Sequence, residues 1–131
     1  MSGTRSADGA AVLVERAAGL TAVIGSFIMI STPIFTITDF MGIQNVIVGA
    51  VTAFVAAFHA YRTSETSPSI VLAVILLLLG VWIAAAPYVL GIDRALVVGI
   101  NSLGGAIIAI LSLASAYGSV RTSGNATPLS A

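Results

Sequence analysis

The chain has 131 residues, of which 58% are hydrophobic and only 8% are charged, and its formal net charge is zero. Soluble domains carry about a quarter charged residues, so this chain has too little polar surface to cover a globule in water. The absence of cysteine excludes disulfides, thiolate metal sites and cysteine nucleophiles, and the zero net charge gives no reason to expect a nucleic-acid partner.

The charged residues divide the chain into apolar segments. Arg16, Asp39 and Arg62 enclose two runs of 22 uncharged residues each, and two further runs of 27 and 26 residues end at Asp93 and at Arg121. A helix needs about 20 residues to cross about 30 Å of hydrocarbon. The sequence therefore predicts an all-α integral membrane protein with four transmembrane helices, near 17–37, 42–62, 69–91 and 95–118.

The regions outside these spans are polar. Residues 1–16 are predicted to form a cytoplasmic head and residues 119–131 a flexible tail, while the stretch AAVLVER at 10–16 either extends the first helix or lies along the interface. A secretory signal peptide is the competing interpretation of the first span. Its apolar run exceeds the roughly 7 to 15 residues of a signal core, and no small-x-small cleavage site follows, so we favour the helix.

Proline occurs near the end of the first and third predicted helices. Pro33 and Pro87 each stand about 25 Å along their helix, at the outer interface, where a proline kinks or ends a helix at low cost. Tyr88 suits an interfacial aromatic position. At the helix starts, Ser67 with Pro68 is the predicted cap of the third helix, Asp93 that of the fourth, and Thr38 or Asp39 that of the second.

The two prolines also suggest a duplication. Pro33 aligns with Pro87 at an offset of 54 residues, and Gly49 aligns with Gly99 at an offset of 50. We interpret residues 17–62 and 69–118 as tandem two-helix repeats joined by a cytoplasmic loop at 63–68. Because each repeat has an even number of spans, the repeats are parallel and related by an axis along the membrane normal.

Arginine distribution predicts the orientation. Four of the five arginines, Arg5, Arg16, Arg62 and Arg121, fall on one side of the predicted membrane, and Arg94 is on the other. Arginine is enriched in cytoplasmic loops. The sequence thus predicts a multi-pass protein of the cell membrane with both termini in the cytoplasm.

One motif resembles a known family. The pattern G-x-W-x-x-x-A-P-Y-x-L-G includes Gly80, Trp82, Pro87 and Tyr88 and resembles the SPW-repeat integral membrane proteins, which are built from two-helix units named for a Ser-Pro-Trp motif. The first half is similar through Thr32, Pro33, Asn45 and Gly49, although neither copy reads Ser-Pro-Trp literally. The resemblance covers roughly residues 17–118 and implies a membrane repeat with no established activity.

Few polar side chains fall within the predicted spans. His59, the only histidine, could accept a proton or bind a metal, but it has no acidic or second histidine neighbour, so we expect a packing residue. Asn101 and Ser102, with Gln44 and Asn45, either line a polar pathway or hydrogen-bond across helices, and we favour the second role, worth about 0.6–2 kcal/mol.

Two further features of the sequence are the charged pair before the fourth helix and the small residues spaced along all four helices. Asp93 and Arg94 form either a charged mouth or, as we favour, a helix cap beside a headgroup contact. Small residues recur at spacings of three and four, which lets helix backbones approach in lipid. They are Ala18, Ala22 and Ser26, then Gly49, Ala53 and Ala57, then Gly80 and Ala84, and finally Ser102, Gly105, Ala109, Ser112 and Ser115.

Three functions are compatible with this sequence, and we rank them by the parts that each requires. A non-catalytic protein that acts by packing, as an accessory or scaffold subunit or a self-assembling bundle, needs only the helices. A transporter or channel needs a polar or ionisable pathway, and an enzyme needs a nucleophile, an acid and base pair or a metal cluster. We assign no catalytic, cofactor or metal residue, and we expect as partners the lipid bilayer and other membrane subunits or copies of the chain itself.

Overall fold

A computed structural model of the chain describes the backbone of residues 2–130 and the side chains of residues 9–122. Within that range it contains four helices, α1 (Ser2–Ile34), α2 (Asp39–Glu65), α3 (Ile70–Val89) and α4 (Ala95–Ser130). Each helix has a segment of 20 to 28 residues that is apolar enough to cross a membrane. The prediction of an all-helical membrane protein with four spans is confirmed.

The first and last helices are longer than predicted. Residues 10–16 continue α1, and the carbonyl oxygen of Ala10 lies 3.0 Å from where a Cβ on Gly118 would be. Helix α4 continues past residue 118, and the buried Ser119 Oγ donates to the Ser115 carbonyl oxygen at 2.7 Å. These extensions therefore pack on each other. The side chains of the rest of the predicted head and tail, at 1–8 and 123–131, lie outside the described residues.

Two predicted helix caps are wrong. Helix α3 begins at Ile70, so its N-cap is Ser69, whose Oγ accepts from the Leu72 N–H at 3.3 Å, and not Ser67. Helix α4 begins at Ala95, which places Arg94 instead of Asp93 at the cap position. Thr38 is the N-cap of α2 but makes no side-chain capping bond.

The helices form a four-cornered bundle. Helix α1 packs against α2 and α4, and α3 packs against α4, whereas the α2–α3 side is much looser. The loops at 35–38 and 90–94 lie at one end, which we call the loop face. The loop at 66–69 and the two terminal extensions lie at the other end, the terminal face.

Burial follows a regular spacing on all four helices. Buried positions alternate at spacings of four and three residues, which is the pattern of helices that pack at about 20° in a left-handed bundle. In α1 these are Ala18, Thr21, Gly25 and Ile28; in α2, Asn45, Gly49, Thr52, Ala56, His59 and Thr63; in α3, Ala73, Leu76, Gly80, Ile83 and Pro87; in α4, Asn101, Gly105, Ile108, Ser112, Ser115 and Ser119.

Glycines allow the closest approach within each hairpin. A Cβ on Gly49 would lie 2.9 Å from the Gly25 carbonyl oxygen, and one on Gly105 would lie 2.6 Å from the Gly80 carbonyl oxygen. The matching contacts are thus offset by 55 residues from α1 to α3 and by 56 from α2 to α4. Gly99 aligns with Gly49 in the sequence, but a Cβ added to it would meet no atom within 4 Å, so Gly105 is the position that matches Gly49 in its contacts. The tandem duplication stays a prediction.

Candidate functional site

Two asparagines meet at the centre of the bundle. Asn45 on α2 and Asn101 on α4 stand at opposite corners and are completely buried. Asn45 Nδ2 donates to Asn101 Oδ1 at 2.9 Å, and Asn101 Nδ2 donates back to Asn45 Oδ1 at 2.9 Å. Asn101 Nδ2 also donates to the Ile83 carbonyl oxygen of α3 at 3.1 Å. The pair therefore connects three of the four helices.

The pair is linked to the edge of the bundle through Gln44 and Trp82. Trp82 Nε1 on α3 donates to Gln44 Oε1 on α2 at 2.9 Å, and Gln44 Nε2 donates to Asn45 Oδ1. Trp82 is 37% exposed, whereas Gln44 is buried. This polar layer, composed of Gln44, Asn45, Trp82 and Asn101, crosses the otherwise loose α2–α3 side.

The polar layer lies within the membrane. Asn101 stands six residues beyond the start of α4, which places it about 9 Å below the loop face. Apolar residues enclose the layer on both sides. Ile37, Met41, Ala86 and Val97 pack between it and the loop face, and Ile28, Ile83 and Ile108 pack on its terminal side. In such a medium an unpaired amide costs several kcal/mol, so the mutual pairing explains how these residues are tolerated.

His59 occupies the terminal end of the α2–α3 side. It is completely buried, and its Nε2 accepts from the Ser69 N–H, at the N-cap of α3, at 3.2 Å. Its Nδ1 has no hydrogen-bond partner among the described residues. No group of three histidine, cysteine or acidic side chains that could hold a metal occurs in that part of the chain. His59 joins the end of one helix to the start of the next.

Comparison with known protein families identifies a match over most of this bundle. The family model described as SPW repeat domain matches residues 15–115, which include parts of all four helices and the whole polar layer. The chain belongs to the SPW repeat domain family. No curated protein and no solved structure matches this SPW repeat protein.

The prolines and the tyrosine of the motif in this SPW repeat protein lie at the helix ends near the loop face. Helices α1 and α3 end within two residues of Pro33 and Pro87, respectively. Pro33 is exposed, whereas Pro87 is buried. The exposed Tyr88 places its hydroxyl 3.0 Å from Ser102 Oγ, which ties the end of α3 to α4. Pro33, Pro87 and Tyr88 therefore shape the loop face, whereas the motif residues Trp82 and Asn45 belong to the polar layer.

Arg94 makes a long-range contact that the sequence analysis missed. Its NH1 donates to the Thr36 carbonyl oxygen at 2.9 Å and its NH2 to the Phe35 carbonyl oxygen at 2.6 Å. These carbonyls follow the C-terminal end of α1, where a positive charge is favourable. In this SPW repeat protein the Arg94 side chain thus joins the start of α4 to the end of α1 at the loop face. No local pattern indicates a partner 58 residues away.

Two further features were missed, and one of them left a signal in the sequence. Gly25, the partner of Gly49, stands in the same spacing of four and three as Thr21 and Ile28, so a heptad reading of α1 would have found it. The contact between Gln44 and Trp82 joins residues of different helices. This contact could be identified only from the way α2 packs against α3 in the structure.

Proposed function

We propose that this membrane protein is non-catalytic and acts by helix packing, as an accessory or scaffold subunit or as a self-assembling bundle. The polar layer is the observation that supports this proposal. Its amide groups hydrogen-bond with one another and with the backbone of α3. Groups that hold helices together in this way, between two apolar layers, have little capacity left to bind a substrate.

The composition of the native complex tests this proposal. The protein is extracted from its native host in mild detergent, and the mass and components of the complex are measured. Other polypeptides at fixed stoichiometry are expected for an accessory subunit, and a single multiple of the chain mass for a self-assembling bundle. A monomer that carries a solute flux in vesicles would contradict the packing role.

A small transporter or channel is the second candidate, and the terminal half of the core supports it. There the hydroxyls of Thr52 and Ser112 and the Nδ1 of His59 are buried and lack partners among the described residues. Buried polar groups are commonly satisfied by water, and polar groups in transmembrane helices often mark a pathway.

Thiol labelling distinguishes the two candidates, because the chain has no cysteine of its own. A Ser112→Cys variant is treated with a small charged thiol reagent from the terminal side. Ile110→Cys, whose wild-type side chain is 65% exposed to the lipid side, is the control. Rapid labelling of Ser112→Cys alone would favour the transporter, whereas protection of both positions would favour packing.

A further inference from the structure

An apolar groove runs along the lipid-facing side of the α1–α4 contact. It has a volume of about 650 Å³, and its walls include Val23 and Phe27 of α1 and Leu96, Gly99 and Leu103 of α4. From Ala95 to Ile107 it follows α4 for about 18 Å. That length is slightly more than half of the roughly 30 Å hydrocarbon thickness, so the groove is long enough to span one leaflet.

The groove is open because of Gly99. A Cβ at this position would meet no atom within 4 Å, so the backbone of α4 borders an unfilled space. The walls are almost entirely hydrocarbon, as the inner surface of a lipid chain site must be. A lipid acyl chain has the shape and polarity that this space accepts.

Arg94 stands at the loop-face end of the groove. Its guanidinium contacts the backbone just beyond the end of α1, and the next residue, Ala95, begins the groove wall on α4. A guanidinium has five N–H donors, and only two contacts to carbonyl oxygens use them here. The exposed side chain can therefore also donate to a phosphate, an anion whose geometry its planar fork matches.

Two carboxylates line the same cavity as Arg94. Asp39 and Asp93, together with Arg94, line a cavity of about 400 Å³ between the two loops of the loop face. One positive and two negative charges disfavour a headgroup with a net negative charge. They fit one in which a phosphate is followed by an ammonium group, with the phosphate on Arg94 and the ammonium near the carboxylates.

We propose that the α1–α4 groove and Arg94 form a binding site for a bilayer phospholipid whose headgroup carries both a phosphate and an ammonium group. One acyl chain lies in the groove, and the phosphate binds Arg94 at the membrane surface. This site does not depend on the packing role proposed above. It makes the lipid a bound component of the bundle and not only its solvent.

Native mass spectrometry of the full chain in detergent tests the site with three defined lipids. These are a phosphatidylethanolamine, a phosphatidylglycerol with the same chains, and the corresponding diacylglycerol, which has no phosphate. We expect phosphatidylethanolamine to be retained best and diacylglycerol to be about tenfold weaker, which is the effect of one charge-assisted contact. Equal retention of diacylglycerol, or better retention of phosphatidylglycerol, would overturn the proposal.

Substitutions locate the site. Gly99→Leu fills the groove, and Gly19→Leu is the matched control, because a Cβ at Gly19 also meets no atom within 4 Å and Gly19 does not line the groove. We expect Gly99→Leu to lower phosphatidylethanolamine retention about tenfold and Gly19→Leu to leave it unchanged. Unchanged binding in Gly99→Leu would overturn the site. So would a wild-type dimer that Gly99→Leu converts to a monomer, because a second copy would then occupy the groove.

Discussion

At the residue scale, the Asn45–Asn101 pair shows how two polar side chains are accommodated in an apolar core. Each amide donates to the other, so neither is left unpaired in the bundle centre. The cost of burying them appears only when one partner is removed. This dependence distinguishes a structural pair from two residues that independently line a pathway.

We predict that Asn101→Leu lowers the free energy of unfolding by about 1–3 kcal/mol, because it leaves the buried Nδ2 of Asn45 without an acceptor. The double variant Asn45→Leu/Asn101→Leu should lose less than the two single variants together, since neither asparagine is left without its partner and only Gln44 Nε2 loses an acceptor. Reversible unfolding in mixed micelles, followed by helicity, measures both. If the double variant loses as much as the two single variants together, the residues do not act as a pair.

At the element scale, α1 and α3 end in the same way. Thr36 and Gly91 have φ angles of 51° and 68°, in the left-handed region. The Ile37 N–H donates to the Thr32 carbonyl oxygen at 2.9 Å, and the Ile92 N–H donates to the Pro87 carbonyl oxygen at 2.8 Å. Both ends therefore have the six-to-one bond of a Schellman motif. The residue that matches Pro87 in this geometry is Thr32, so alignment of the two prolines is displaced by one residue.

The two helix ends differ in how well the residue at positive φ suits that conformation, because it is Thr36 after α1 and Gly91 after α3. A β-branched side chain is rarely found at positive φ, whereas glycine adopts it freely. We predict that Thr36→Gly raises the free energy of unfolding by about 1 kcal/mol and that Gly91→Thr lowers it by at least as much. Thermal unfolding of both variants in one detergent provides the measurement. A destabilised Thr36→Gly variant would show that the threonine side chain contributes more than its backbone costs.

The glycine contacts within each hairpin lead to a second prediction at this scale. A Cβ on Gly49 would lie 2.8 Å from the Met29 nitrogen, and one on Gly105 would lie 2.8 Å from the Ala84 Cα. Each of the alanine variants Gly49→Ala and Gly105→Ala should therefore cost about 1–3 kcal/mol through overpacking. Gly99→Ala is the control, with no loss expected, because its Cβ meets open space. Equal losses at all three positions would contradict this explanation, because an alanine in place of glycine raises helix propensity and Gly99→Ala removes no contact.

The sequence predicted the helices much better than it predicted their contacts. Charge spacing located all four spans, because the thickness of the bilayer sets the length of an apolar run. The register of one helix against its neighbour was harder to predict. Alanine and glycine are so frequent that several alignments satisfy the same small-residue spacing. Gly99 was aligned with Gly49 for this reason, although Gly105 has the matching contact. The Arg94 contact was inaccessible, because it depends on how two distant loops meet.

At the scale of the whole molecule, the two faces of the bundle differ in charge. Arg16, Arg62 and Arg121 are exposed in the half nearer the terminal face. At the loop face, Asp39 and Asp93 accompany Arg94, whose guanidinium also binds backbone carbonyls. Three of the four arginines whose side chains the structure describes are therefore in the half nearer the terminal face. This distribution is consistent with the arginine count in the sequence and predicts a cytoplasmic terminal face.

Thiol labelling in intact cells tests this orientation. Ser64 is exposed near the terminal face, and Thr38 is exposed at the loop face. Thr38 is preferable to Asp39, whose φ of 58° makes a substitution there strained. We expect an impermeant reagent to label Thr38→Cys in intact cells and Ser64→Cys only after permeabilisation. The reverse pattern would contradict the arginine argument and would place the groove and Arg94 in the cytoplasmic leaflet, so the same experiment decides which leaflet supplies the proposed lipid.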